Sequence, residues 1–113
     1  MRQQQTALAA ACRGGHATCV DMLIKKRADV NQPLPGGGGW YPLWTAAKLG
    51  HIGIVQQLLN DGARINQAAA EGESPLFMAC EYGHPQVVSV LIAAKAAVSQ
   101  KSNDGATPLF MAM

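Results

Sequence analysis

Charge is scarce in this sequence. Asp, Glu, Lys and Arg make up 14% of its 113 residues, against roughly 25% in an ordinary soluble domain. Part of the surface is therefore expected to be covered, by more of the same chain or by a partner. The nine basic residues leave a net charge of only +2 and are scattered. They form no cationic face of the kind that holds a phosphate backbone, so nucleic acid is not implied. The one basic cluster, Lys25-Lys26-Arg27, ends a predicted helix, where positive side chains meet the negative end of the dipole. Cysteine is sparse too. Three cysteines without metal-type spacing argue against a disulfide framework and for a reducing compartment, cytoplasmic or nuclear. No apolar run approaches ~18 residues. The opening Met1-Arg2-Gln3-Gln4-Gln5 also lacks the apolar stretch of a signal peptide, so neither membrane insertion nor secretion is expected.

What the sequence does contain is a repeat. Gly15-His16, Gly50-His51 and Gly83-His84 recur at spacings of 35 and 33 residues, and a fixed period changes how every other residue is read. Each pair is followed by an apolar helical pattern: Val20, Leu23, Ile24; then Val55, Leu58, Leu59; then Val88, Leu91, Ile92. The blocks close on Ala28-Asp29-Val30-Asn31, Ala63-Arg64-Ile65-Asn66 and Ala96-Ala97-Val98-Ser99. They open on Thr6-Ala7-Leu8, Tyr41-Pro42-Leu43 and Ser74-Pro75-Leu76, and Thr107-Pro108-Leu109 opens a fourth.

Elementary chemistry explains the block. Thr6, Ser74 and Thr107 are placed as N-caps whose hydroxyl accepts from an orphan helix amide. Pro42, Pro75 and Pro108 then take the first helical position, where a missing amide costs nothing. Leu43, Ala46 and Ala47 fall at i, i+3, i+4, a narrow stripe whose alanines admit a neighbouring helix. The helix stops at Gly15, Gly50 or Gly83, where a left-handed residue reverses the chain, and Gly62 ends the second copy in the same way. A second helix carries the larger Val, Leu and Ile residues. Two antiparallel helices and an extended loop, repeated, make a solenoid.

The pattern Thr-Pro-Leu-x-x-Ala-Ala-x-x-Gly-His, a Val-x-x-Leu-Leu helix and Gly-Ala-x-Val-Asn at a 33-residue period resembles the ankyrin repeat, over nearly the whole chain. The resemblance implies an all-α solenoid of stacked helix-turn-helix units with β-hairpin-like loops. The units run over about residues 2–35, 36–70, 71–103 and a partial 104–113. It also implies a concave surface of hairpin tips and first helices that binds other proteins, with no enzymatic activity, cofactor or small-molecule substrate. Asn31 and Asn66 resemble the loop asparagines that are hydroxylated in some members.

Several positions depart from that pattern. Ala9, Trp44, Phe77 and Phe110 stand where the family commonly has a His, so apolar contact between units is expected to replace its hydrogen bonds. Arg27 and Lys95 stand where Gly closes the second helix, at about 1 kcal/mol each if left-handed. Tyr41 cannot cap as Ser or Thr does, a further loss of about 1 kcal/mol. The stretch Gln32 to Gly39, ending in four glycines, reads as a longer hairpin loop. No Lys-Ser/Thr follows it, as a phosphate site requires.

His16, His51 and His84 lie one repeat apart, too far to share a zinc at ~2.1 Å. The resemblance gives them local hydrogen bonds that support the turn. Cys12 and Cys80 align with Ala47, and Cys19 with Ile54 and Val87, so all three are expected buried and unreactive. No catalytic constellation survives the alignment.

Binding candidates are the positions that vary between copies. Before the cap these are Gln5, Trp40, Glu73 and Ala106; late in the first helix they are Arg13-Gly14, Lys48-Leu49 and Glu81-Tyr82. Trp44 and Lys48 are i, i+4 neighbours, as are Phe77 and Glu81. Trp40, Trp44, Phe77 and Tyr82 are thereby expected to form an aromatic strip on the concave side, and aromatics are enriched at binding hot spots. The plainer alternative for Trp44 and Phe77 is that they seal the joint between units. For Lys48 and Glu81 it is a mutual ion pair worth under about 1 kcal/mol. The apolar segment Leu109-Phe110-Met111-Ala112-Met113 has no second helix or polar cap after it, from which a longer array is expected.

Overall fold

A computed structural model describes residues 2–33, 40–69 and 71–94. The glycine-rich loop at 36–39, Lys95, the closing segment 96–99 and the fourth block lie outside the described residues. Among the described residues six helices follow one another: α1 (Arg2–Gly14), α2 (Ala17–Lys25), α3 (Pro42–Leu49), α4 (Ile52–Asn60), α5 (Pro75–Glu81) and α6 (Pro85–Ala93). No strand occurs among the described residues. The loop before α5 closes as a tight, hairpin-like turn instead. In it the Ala69 N–H donates to the Glu73 carbonyl and the Gly72 N–H to the Ala69 carbonyl, both at 2.9 Å.

The helix boundaries follow from residue chemistry. Pro42 and Pro75 open α3 and α5, and Pro85 opens α6 as well. The Ser74 hydroxyl accepts from the Phe77 N–H at 3.1 Å. Tyr41 holds the extended backbone of a cap (φ −111°, ψ 156°) but makes no side-chain cap bond, because a phenol cannot fold back onto the first turn. Thr6 departs from expectation. It lies inside α1, which starts at Arg2, because Ala7 rather than Pro follows it and Arg2 to Gln5 are good helix formers.

Two of the turn glycines are fixed twice over. Gly15 and Gly50 have φ of 74° and 77°. A Cβ would also meet the next unit's imidazole, 2.9 Å from His51 at Gly15 and 2.5 Å from His84 at Gly50. Arg27 adopts φ 69° without being glycine, the costly geometry that its register position demands.

The helices form two layers. Each packs against its partner in the pair and against the equivalent helix of the adjacent unit: α1 on α3 on α5, and α2 on α4 on α6. Leu43, Ala46 and Ala47 are buried, as are Leu8, Val20, Val55, Leu58, Leu76 and Leu91, each large side chain contributing about 1.5–3 kcal/mol by leaving water. Ile92, at the end of its helical pattern, is half exposed.

Polar bridges register one unit on the next. The Asn31 amide donates to the Gly62 carbonyl at 3.0 Å, and its oxygen accepts from the Arg64 N–H at 2.8 Å. Gln57 donates to the Ala17 carbonyl at 3.0 Å. His51 and His84 do the same, reaching across to the preceding unit. His51 Nε2 meets the Arg13 carbonyl at 3.3 Å and His84 Nε2 the Lys48 carbonyl at 2.8 Å. A carbonyl oxygen of a first-helix end, without an intrahelical donor, is satisfied each time.

The cysteines divide by position in the stack. Cys12 is buried, Cys80 half-buried and Cys19 exposed. Cys19 was expected inside because its counterparts Ile54 and Val87 are inside. Among the described residues, however, no unit precedes the first, so its leading face is open. Burial pushes the Cys12 thiol up to about 12, slightly opposed by Arg13, and raises Cys80 as well.

Candidate functional site

The site begins with α3. Its Leu43, Ala46 and Ala47 stripe is committed to the core, which turns Trp44 and Lys48 toward the loops. Trp44 does not reach solvent. At 5% exposure it joins Phe77 (3%), Met78 and Ala69 in a small second core beneath the loop, with Tyr41 packed against it. These two aromatics fill the place of the usual His and join the second unit to the third. The Trp44 Nε1 is buried without a hydrogen-bond partner, at a cost of about 1–3 kcal/mol.

On this buried ring the exposed aromatics are built. Trp40 stacks on Trp44 with centroids 5.8 Å apart and planes 5° from parallel, within the favourable range for aromatic pairs. The Lys48 ammonium lies 5.4 Å from the Trp44 ring centroid and 5.2 Å from that of Tyr82. Both distances fall within the reach of cation–π attraction. Lys48 therefore does not pair with Glu81; two rings hold it across the boundary between units. Trp40 and Tyr82 remain 37% and 50% exposed, and Leu49 is exposed beside them.

Trp40, Trp44, Lys48 and Leu49 together with Arg13 and Thr45 line a pocket of about 230 Å³. The charged side chains of this lining, Arg13 and Lys48, are both cations. Arg13 was visible in the sequence only as a variable register position, and Thr45, buried on α3, carried no signal at all. Phe77, Glu73 and Glu81 do not line the pocket. Phe77 supports it from below, Glu73 closes the loop turn through its carbonyl, and Glu81 is exposed one repeat after Lys48. A wider concavity of about 480 Å³ lies on the leading face of the first unit, lined in part by Ala10, His16, Cys19 and Met22.

The described residues hold no group of three His, Cys, Asp or Glu side chains arranged for a metal. No described helix is long and apolar enough to cross a membrane. The geometry offers contact, aromatic and cationic, around the end of α3.

Comparison with known proteins gives the same picture of repeats. The sequence profile of a family described as ankyrin repeats (3 copies) matches residues 1–69 and 66–113. The chain is 40% identical over 71 residues to a human protein named ankyrin repeat and KH domain-containing protein 1, a match covering 63% of this chain and 3% of that protein. It is 39% identical over 71 residues to protein fem-1 homolog CG6966 of Drosophila melanogaster, covering 54% of this chain and 10% of that one. The chain thus corresponds to a small part of the length of either relative.

Proposed function

The chain belongs to the ankyrin-repeat family, and from that premise we propose that it binds another protein on the concave face formed by the loop tips and the first helices. Ankyrin repeats are generally protein–protein interaction modules and typically non-catalytic. The observation that carries the choice of face is the row Trp40, Trp44, Lys48, Tyr82, in which the buried Trp44 ring supports exposed Trp40 and Lys48 links it to exposed Tyr82. Rigid aromatics above a packed base lose little entropy on binding and are the usual anchors of an interface. Leu49, Glu73 and Glu81 form the rim of that surface, and Trp44 and Phe77 its support.

The second reading is a structural segment that spaces other domains, favoured by the small share of each relative's length that the match covers. Capture from cell extract on the intact chain, beside a Trp40→Ala, Tyr82→Ala double variant with unchanged helical circular dichroism, separates the two. A protein held by the wild type and lost by the variant supports the concave face. Equal capture, or none, supports the spacer.

A further inference from the structure

The geometry points to an acidic segment with a bulky apolar residue beside its carboxylate as the partner's contact with the pocket under Trp40. This rests on the concave-face reading and adds the chemistry of what is bound. Three observations carry it.

The first is size. Small-molecule sites are commonly about 300–1,000 Å³, whereas this pocket is about 230 Å³. A single large side chain of a peptide fills such a space. The second is lining. Trp40, Trp44 and Leu49 give an apolar wall, so the side chain that enters is aliphatic or aromatic.

The third is charge. Arg13 and Lys48 line the pocket with no anion among the lining residues. Lys48 is moreover held in place by two rings, so a carboxylate meeting it immobilises little that is not already fixed. Arg13 offers a planar fork suited to a carboxylate. The equivalent position in the third unit is Glu81, so the first-helix register reads cation, cation, anion along the stack. An acidic residue is favoured over the first two units and opposed over the third. A basic ligand would meet two cations at the pocket and is disfavoured there.

The test is selection of random dodecapeptides displayed on phage against the intact chain, followed by fluorescence anisotropy of the enriched peptides. The expected winners carry Asp or Glu next to Leu, Ile, Phe or Trp. An Arg13→Gln, Lys48→Met variant with unchanged circular dichroism binds them at least tenfold more weakly, and so does a synthetic peptide with Asn or Gln for the acidic residues. Winners that are neutral or basic, or acidic winners bound equally by the variant, overturn the acidic assignment. So does a selection that enriches nothing. If non-acidic winners are nonetheless lost in Trp40→Ala, Tyr82→Ala, the concave-face reading survives and only the ligand chemistry falls. If winners are indifferent to that double variant, the face itself is wrong.

Discussion

His84 Nε2 donates to the carbonyl oxygen of Lys48 at 2.8 Å, while the same lysine's ammonium sits between the rings of Trp44 and Tyr82. The end of α3 is thus held at its backbone by the framework and at its side chain by the candidate site. Removing the imidazole leaves a part-buried carbonyl without its donor. His84→Ala is expected to lower stability by about 1–3 kcal/mol, measured by urea denaturation. The longer bond of His51, at 3.3 Å, predicts a smaller loss for His51→Ala. Exposed His16, with no preceding unit among the described residues, predicts a change within about 0.5 kcal/mol.

The Asn31 amide uses both of its ends between units, toward Gly62 and Arg64. Asn31→Ala removes both bonds and is expected to cost about 1–2 kcal/mol. Asn31→Asp keeps the acceptor for the Arg64 amide but loses the donor to Gly62, and its midpoint in urea falls between those of wild type and the alanine variant. Equal midpoints for all three would show that the bridge contributes nothing.

Arg27 carries a left-handed φ of 69° where a glycine would bear no steric cost. Arg27→Gly is expected to stabilise the chain by about 1 kcal/mol, read as a raised denaturation midpoint. The guanidinium is exposed, so little packing is lost with it.

Much of this was legible beforehand. The period itself, the Pro42 and Pro75 starts, the Ser74 cap and the glycine stops are local signals, and each sits where its chemistry demands. What the sequence did not reveal depends on neighbours in the stack. Cys19 aligns with buried residues yet faces outward, because register fixes a side chain's direction and not whether another unit covers it. For Trp44 and Phe77 the sequence left two readings open, an aromatic strip and a seal between units; their burial in a second core with Ala69 and Met78 matches the seal. Lys48 lies between two aromatic rings rather than beside Glu81, because the distance across a unit boundary comes from the stacking of α3 on α5.

The three thiols predict an order of reactivity. Cys19 is exposed, Cys80 half-buried with a raised pKa, and Cys12 buried with its pKa pushed up to about 12. Alkylation at neutral pH, followed by mass spectrometry, is expected to modify Cys19 first, Cys80 slowly and Cys12 only on unfolding. The sign of the pH effect follows from linkage. A folded-state pKa above the unfolded one gives stability that is complete below the ordinary thiol value and is lost as the pH rises toward about 12. Between about pH 8 and about pH 10.5, wild type should lose up to ~2 kcal/mol more than Cys12→Ala.

The central claim is that a partner covers the concave face, and hydrogen exchange of the chain with and without a captured partner tests it most directly. Protection on binding is expected in α3 and α5 and around Trp40 and Tyr82, with α4 and α6 unchanged. Protection confined to the second helices, or to the leading face around Cys19, would contradict it.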